Sequence, residues 1–282
     1  MYPVIHIWER FMLPLYSLMF FLGVFLAVLI GRRIADNNYV PKEDVLYCTV
    51  YIGIGILIGS KLLYFLTKLP NVMNNISVVV HSFEECRIPT LAFLGEYLFG
   101  GNVFYGGLIG AVCGMLRYCV HFQMPIWNFA DLFGVLVPFV HGFGRIGCFF
   151  AGCCYGIEYH GIGAVSFPEN AYVKELSAVE RFPIQLEEAF CNFVCFFVLL
   201  YIYRKKQRKP GNILGVYLIY YTVLRFLNEF LRGDAIRGKI GFLTTSQWIS
   251  LLLLPIGIAL CTGFIQQRFM NDSGKEEIED EC

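Results

Sequence analysis

The sequence predicts an all-α integral membrane protein of about seven transmembrane helices with a small extracytoplasmic head. Three observations carry this prediction. Hydrophobic residues make up 57% of the 282-residue chain and charged residues only 16%, against about 25% charged in an ordinary soluble domain. Apolar runs close to the ~20 residues that cross a hydrocarbon core recur along the chain. Two stretches between runs, 67–100 and 151–185, each exceed 30 residues, a length at which a connection usually has function or structure of its own. Lysine plus arginine and aspartate plus glutamate balance at 22 each, for a net charge of zero. With no basic footprint, nucleic acid is excluded as a partner.

The elements follow in order. The first run, 13–31, is long enough to span and is followed by no small-residue cleavage site, so it reads as a helix rather than a leader. The second, 45–66, contains Gly55-x-x-x-Gly59, a small-xxx-small spacing that lets membrane helices approach closely. The third and fourth, 101–119 and 126–150, are rich in glycine, which is commoner in membrane helices than in soluble ones. The fifth, sixth and seventh are 186–203, 213–231 and 246–264. Residues 1–270 read as one membrane domain, and the acidic, polar tail 271–282 as disordered. The basic cluster at 204–209 places its loop in the cytoplasm by the positive-inside rule. The N-terminus is then outside, the C-terminus cytoplasmic and 151–185 extracytoplasmic.

Of eleven cysteines, Cys48, Cys113, Cys119, Cys191, Cys195 and Cys261 fall in or beside apolar runs, where cysteine behaves as a small hydrophobe. Cys148, Cys153 and Cys154 lie at or beyond the outer membrane edge. A vicinal pair with a third thiol five residues upstream matches no zinc spacing, so no metal is expected. Cys86, in the other long outer segment, is a candidate disulfide partner on an oxidising face.

The chemistry points to the charges in the spans. Arg145 falls at the end of the fourth run. Its guanidinium keeps its proton and needs a partner or water, so at that depth it marks a functional site by default. Arg225 is in the same position. Arg225, Glu229 and Arg232 are spaced i, i+4 and i+7 and are expected on one helical face. One carboxylate neutralises one of these two arginines. With Arg145 facing the same cavity, a net positive pocket remains, suited to a phosphate held by paired hydrogen bonds. The competing structural reading is that Glu229 pairs with one arginine and the cluster only fixes helix packing. Glu187 and Glu188 open the fifth span, and neighbours on a helix point to different faces, so at most one is expected to look into the bundle. Lys61 reads as an interfacial anchor, and Tyr16 and Tyr105 as interfacial tyrosines.

The motifs resemble those of the prolipoprotein diacylglyceryl transferase family, over about residues 16–250. They are L-Y-S-L-M-F-F-L-G at 15–23, G-S-K-L-L-Y at 59–64, Y-G-G-L-I-G at 105–110, G-R-I-G-C-F-F-A-G-C-C-Y-G at 144–156, P-I-Q-L-E-E at 183–188, R-F-L-N-E-F-L-R-G-D at 225–234 and Q-W-I-S at 247–250. The resemblance implies an enzyme of the bacterial cytoplasmic (inner) membrane that moves a diacylglyceryl group from phosphatidylglycerol to the lipobox cysteine of prolipoproteins. Its partners are phosphatidylglycerol, prolipoprotein signal peptides and membrane lipids, and it implies no cofactor. By position it makes Arg145 and Arg225 the phosphate-side catalytic arginines. Tyr105 stands where the family usually has histidine. Tyr16, Lys61, Gly106, Gly107, Cys148, Gly156, Glu188, Glu229 and Arg232 become substrate-binding candidates, with Glu188 singled out over Glu187. The chain departs from the family's G-R-I-G-N-F-x-N-x-E at Cys148, Ala151 and Cys153. Two alternatives stay open: a divergent paralogue using the same phospholipid pocket for another acceptor, and a non-catalytic lipid-binding or transport protein.

Overall fold

The computed structural model describes residues 4–8, 11–35, 39–74, 101, 103–167, 179–205, 209–233 and 238–267. Cys86, most of the 67–100 segment and the 271–282 tail lie outside the described residues, as does the middle of the 204–209 cluster.

Seven long helices occur among the described residues, one for each predicted span: α1 (Leu15–Ile34), α2 (Lys42–Asn74), α3 (Phe104–His121), α4 (Ile126–Ala151), α5 (Ile184–Arg204), α6 (Asn212–Asn228) and α7 (Thr245–Thr262). Six are long and apolar enough to cross a membrane. The exception is α3, whose Gly106, Gly107, Gly110 and Gly114 pack closely and whose last turns carry Arg117 and His121. Phe21, Phe25, Leu57, Ile58, Phe190, Phe197 and Leu252 are exposed, while Arg225, Glu188, Gln185 and Asn192 are buried. Polar groups inside and large apolar groups outside suit a lipid solvent. This is a multi-pass membrane protein.

The predicted start of the first span moves by two residues. Residues 13 and 14 belong to a hairpin of β1 (Val4–Trp8) and β2 (Phe11–Pro14), paired Val4 to Pro14, Ile5 to Leu13 and His6 to Met12, with an irregularity before Trp8 and Phe11. The apolar run therefore continues through a strand before the helix begins.

The chain gathers into two compact units, Ala35–Phe129 and Met1–Ile34 with Ala130–Cys282. The first unit is built on the antiparallel pair α2 and α3. A Cβ on Gly55 would overlap the carbonyl oxygen of Gly110, and one on Gly59 that of Gly106. The converse substitutions at Gly106 and Gly110 collide in turn, and Gly114 lies against the carbonyl of Tyr51. The small-xxx-small spacing thus becomes a backbone-to-backbone seam. Beyond the seam, Val40, Val45, Cys48, Tyr118, Cys119 and Phe129 are buried, and the ring of Tyr118 lies 5.3 Å from that of Tyr51 and 5.8 Å from that of Phe129.

In the second unit, Phe139 and Phe143 of α4 interleave with Phe193 and Phe196 of α5 at centroid separations of 4.8 to 5.8 Å. Asp131, 1% exposed, reaches from α4 to the start of α6. Its carboxylate accepts from the backbone N–H of Gly211 at 2.9 Å and of Leu214 at 3.2 Å. A carboxylate there satisfies donors that have no partner within the helix and meets the positive end of the helix dipole. α7 opens on a capping box. Thr244 Oγ1 accepts from the Gln247 N–H at 3.3 Å, and Gln247 Oε1 accepts from the Thr244 N–H at 3.0 Å.

The segment after α4 forms a small β-bridged head, in keeping with the folded head expected for 151–185. β3 (Val165–Ser166) pairs with β4 (Glu180–Arg181). Glu158 bridges Arg181, and Gly156 bridges Arg232. The N–H of Ile157 donates to Leu231 O at 3.0 Å, that of Gly233 to Tyr155 O at 3.1 Å, and that of Phe182 to Ile157 O at 3.0 Å. A second short hairpin, β5 (Lys239–Ile240) with β6 (Leu243–Thr244), leads into α7.

Candidate functional site

α4, α5, α6 and α7 each bring a polar group to one place. Arg145 comes from α4, Glu188 from the first turns of α5, Arg225 from the last turn of α6 and Ser246 from the first turn of α7. Glu188 Oε2 is ion-paired with Arg145 Nε, and Glu188 Oε1 lies 4.0 Å from Arg225 Nη1. Arg225 Nη2 is 2.7 Å from Glu229 Oε2 and donates to Ser246 Oγ at 3.0 Å. Arg145 Nε also lies 3.3 Å from His141 Nε2, one turn back on α4. Arg225 Nη1 is buried and makes no hydrogen bond. A donor held in that state is costly unless something supplies an acceptor.

The spacing sets one carboxylate, Glu229, between Arg225 and Arg232 and leaves a net positive pocket once Arg145 joins. The structure instead sets two, Glu188 and Glu229, against Arg145 and Arg225, so these four charges balance among themselves because Glu188 also turns inward. Arg232 differs too. α6 ends at Asn228, Glu229–Leu231 form a 3₁₀ turn, and Arg232 is extended, bridged to Gly156. Its side chain is therefore not one turn above Glu229 on a shared helical face. The i, i+4 pair of Arg225 and Glu229 survives because the first 3₁₀ residue still has helical dihedrals (φ −62°, ψ −28°).

Of the two adjacent glutamates, Glu188 is the buried one, as expected. Glu187 is half-buried and engaged elsewhere. It accepts from Asn228 Nδ2 at 2.8 Å and from Cys191 Sγ at 3.1 Å. Tyr16 is brought to the same region, since its backbone packs 3.1 Å from where a Cβ on Gly147 would stand. Gly156 has a packing reason of its own, because a Cβ would overlap the carbonyl oxygen of Phe182 and lie 3.2 Å from that of Leu231.

The remaining candidates belong to the 35–129 unit. Lys61 Nζ donates to the carbonyl of Gly101 at 3.3 Å, which closes the chain back on α2. Tyr105 is half-buried at the start of α3, with its ring 5.6 Å from that of Phe104. Gly106 and Gly107 lie at the α2–α3 crossing, where a Cβ on Gly106 would overlap the carbonyl of Gly59 and one on Gly107 would meet Ile56 at 3.4 Å.

Cys148 in α4 meets Cys153 and Cys154 across the turn that follows the helix. The three sulfurs lie within 4.8 Å of one another. The Cys153 N–H donates to Cys148 O at 3.2 Å, and the buried Gln185 donates through Nε2 to Cys153 O at 2.8 Å. Cys154 is held at φ 57°, a left-handed conformation uncommon for a residue with a side chain. Hydrogen bonds from Cys148 and Cys153, with the Arg232 and Arg145 guanidiniums, hold the Cys154 thiol below its ordinary value. Desolvation opposes them.

Sequence reasoning missed three of these residues. Asp131 and Ser246 have no short-range signal, because their partners are remote in the chain. Gln185 lies inside the P-I-Q-L-E-E motif, but its uncharged side chain gives no sign of its bond to Cys153, 32 residues earlier.

Apolar outer faces around an internal cluster of guanidiniums and carboxylates define a multi-pass membrane protein with a charged cluster among its helices. The sequence model of the family described as prolipoprotein diacylglyceryl transferase matches residues 3–262. A phosphatidylglycerol–prolipoprotein diacylglyceryl transferase of Clostridium tetani (strain Massachusetts / E88) is 35% identical over 245 residues, 86% of this chain and 90% of its own. One from Clostridium perfringens (strain 13 / Type A), numbered 2 in its name, is 32% identical over 257 residues, covering 89% and 92%. Another, from Proteus mirabilis (strain HI4320), is 29% identical over 264 residues, covering 86% and 85%. The chain belongs to the prolipoprotein diacylglyceryl transferase family.

Proposed function

We propose that this protein transfers a diacylglyceryl group from phosphatidylglycerol to the lipobox cysteine of prolipoproteins, at the cluster of Arg145, Arg225 and Glu188. The acceptor sulfur attacks the glyceryl carbon that carries the phosphate. A C–S bond forms, the C–O bond breaks with its electron pair leaving on glycerol phosphate, and the thiol's proton passes to that leaving phosphate. Negative charge grows on the leaving phosphate, and fixed donors in a water-poor site stabilise such charge strongly.

The observation that supports this reading is the state of Arg225. One of its terminal nitrogens is committed to Glu229 and Ser246, and the other is buried without a hydrogen bond, 4.0 Å from Glu188 Oε1. In this reading Glu188 holds the place that the phosphate takes. Arginine offers the planar fork that phosphate oxygens fit. Tyr16 lies beside Gly147, between Arg145 and Cys148 in the chain, and lines the lipid's path. Tyr105 orients lipid or thiol through its hydroxyl, and Lys61, Gly106 and Gly107 contribute to substrate binding. Arg232 and Gly156 act through the head that caps the end of α6. Residues 1–270 work as one membrane domain in the bacterial cytoplasmic membrane, with the N-terminus outside and the C-terminus cytoplasmic. Prolipoprotein signal peptides approach from within the bilayer.

The test is complementation of a strain depleted of its own transferase. Lipoproteins regain the mobility and mass of the diacylglyceryl form if the reading is right. Unmodified prolipoprotein despite normal membrane levels of this protein would leave the paralogue reading in its place.

A further inference from the structure

The turn that ends α4 gathers three thiols, and a substrate contact at Cys148 alone leaves that convergence unexplained. We propose that Cys148, Cys153 and Cys154 form a binding site for one thiophilic divalent ion of the zinc class. The inference does not depend on the transfer reaction.

Linear spacing argues against a metal, since zinc sites read from sequence pair their ligands as C-x₂₋₄-C. The structure removes that objection. Residue 148 is in the last turns of a helix and residues 153 and 154 follow a reversal, so the fold does the spacing that the sequence does not. All three sulfurs lie within 4.8 Å of one another. A zinc–sulfur bond of about 2.3 Å in tetrahedral geometry sets sulfurs about 3.8 Å apart. The triad is therefore within a modest side-chain rotation of a coordinating arrangement.

The support around the triad is already in place. The buried Gln185 clamps the carbonyl of Cys153, and the Cys153 N–H ties back to Cys148 O. Cys154 is held at φ 57° close to a glycine, Gly152, at φ 68°. Groups behind the ligands that orient them in this way raise metal affinity. The charges also fit. A divalent ion on three thiolates carries a net charge of −1, with three protons released to solvent. The guanidiniums of Arg232 and Arg145 both act electrostatically on Cys154, so the anionic complex would be compensated. Sulfur ligands select soft or borderline ions over magnesium or calcium. Three protein ligands leave a fourth tetrahedral position for water or an incoming thiol.

The test uses the full chain purified in detergent under reducing conditions, loaded with zinc chloride and desalted. Elemental analysis is expected to find about one zinc per chain. Cobalt(II) in its place is expected to give near-ultraviolet sulfur-to-metal charge-transfer absorption. Cys148→Ser, Cys153→Ser and Cys154→Ser should each weaken zinc binding by more than about 100-fold, beyond the 10–100-fold loss typical when a group supporting a ligand is changed, while Cys191→Ser binds as the unaltered chain does. Because a variant can fail to fold, the unaltered protein in native membranes is also alkylated with maleimide with and without zinc, and labelled thiols are counted by mass. Zinc is expected to protect three. Unchanged labelling, no zinc retained, or a Cys148–Cys153 or Cys153–Cys154 disulfide in protein isolated without reductant would overturn the site. Transfer assayed on the same preparation keeps the two ideas apart. Transfer without zinc binding removes the metal site alone, and zinc binding without transfer removes the reaction alone.

Discussion

Arg145 on α4 and Arg225 on α6 share the carboxylate of Glu188. The first contacts it through Nε, and the second lies 4.0 Å away through Nη1. A single carboxylate between two guanidiniums holds both in register.

Arg145→Ala and Arg225→Ala are each expected to cut transfer from phosphatidylglycerol vesicles by at least about 10²–10³-fold, the usual loss for a fixed donor to a developing oxyanion. Both proteins should still insert. Lysine should rescue neither well, because a point charge cannot reproduce the fork. Wild-type turnover by either alanine variant would remove that arginine from the reaction.

Glu188→Gln leaves two buried guanidiniums with one carboxylate fewer. Breaking a buried pair from one side costs about 3–5 kcal/mol, so the melting temperature in detergent should fall clearly. Glu187→Gln should have a smaller effect, since Glu187 is half-buried and the amide oxygen still accepts one of the two hydrogen bonds that Asn228 and Cys191 donate to its separate carboxylate oxygens. Equal melting temperatures for the two variants would contradict the shared-carboxylate arrangement.

Asp131→Ala should destabilise the start of α6. The side chain accepts two backbone N–H bonds in a buried setting, and loss of a cap of this kind costs about 0.5–2 kcal/mol. Asp131→Asn keeps one acceptor oxygen and replaces the other with a donor, so its stability is expected to lie between that of the alanine variant and the native protein. Unfolding monitored in detergent is the measurement. An alanine variant as stable as the parent would mean that water replaces the cap without loss.

Tyr105→Phe should lower turnover by no more than the ~10²–10⁴-fold of one positioned proton-transfer group. Tyr105→His should be tolerated or improve activity, as it restores the residue usual in the family. An inactive Tyr105→His beside a fully active Tyr105→Phe would strip the hydroxyl of its orienting role.

With the proposed orientation, in which the basic 204–209 cluster is cytoplasmic, Gln207→Cys should resist an impermeant maleimide in intact cells and react after permeabilisation. Efficient labelling from outside would invert the topology.

The helices were legible because hydropathy and length are local signals, and each of the seven runs became a helix. The seam between α2 and α3 was half legible. Gly55-x-x-x-Gly59 announced close packing but not its partners, which lie about fifty residues further along the chain. In the site, Glu188 was preferred over Glu187 by motif resemblance, and burial agrees. The exit of Arg232 from the helix was not legible, because i+7 arithmetic assumes a continuous helix and the chain tightens to 3₁₀ at Glu229. Asp131 and Ser246 act on residues remote in sequence, so no window shows them. The thiol triad is visible in the sequence as a cluster, but its geometry is not, because the reversal after α4 sets it.

The α2–α3 seam has a consequence for how this chain can change over time. At Gly55, Gly59, Gly106 and Gly110 the facing atoms are main-chain carbonyls, which no compensating mutation can trim. Alanine, the smallest step available, already collides there. At these four positions every single-residue replacement adds a carbon where a neighbouring backbone already stands, so the two helices can separate but cannot repack around it.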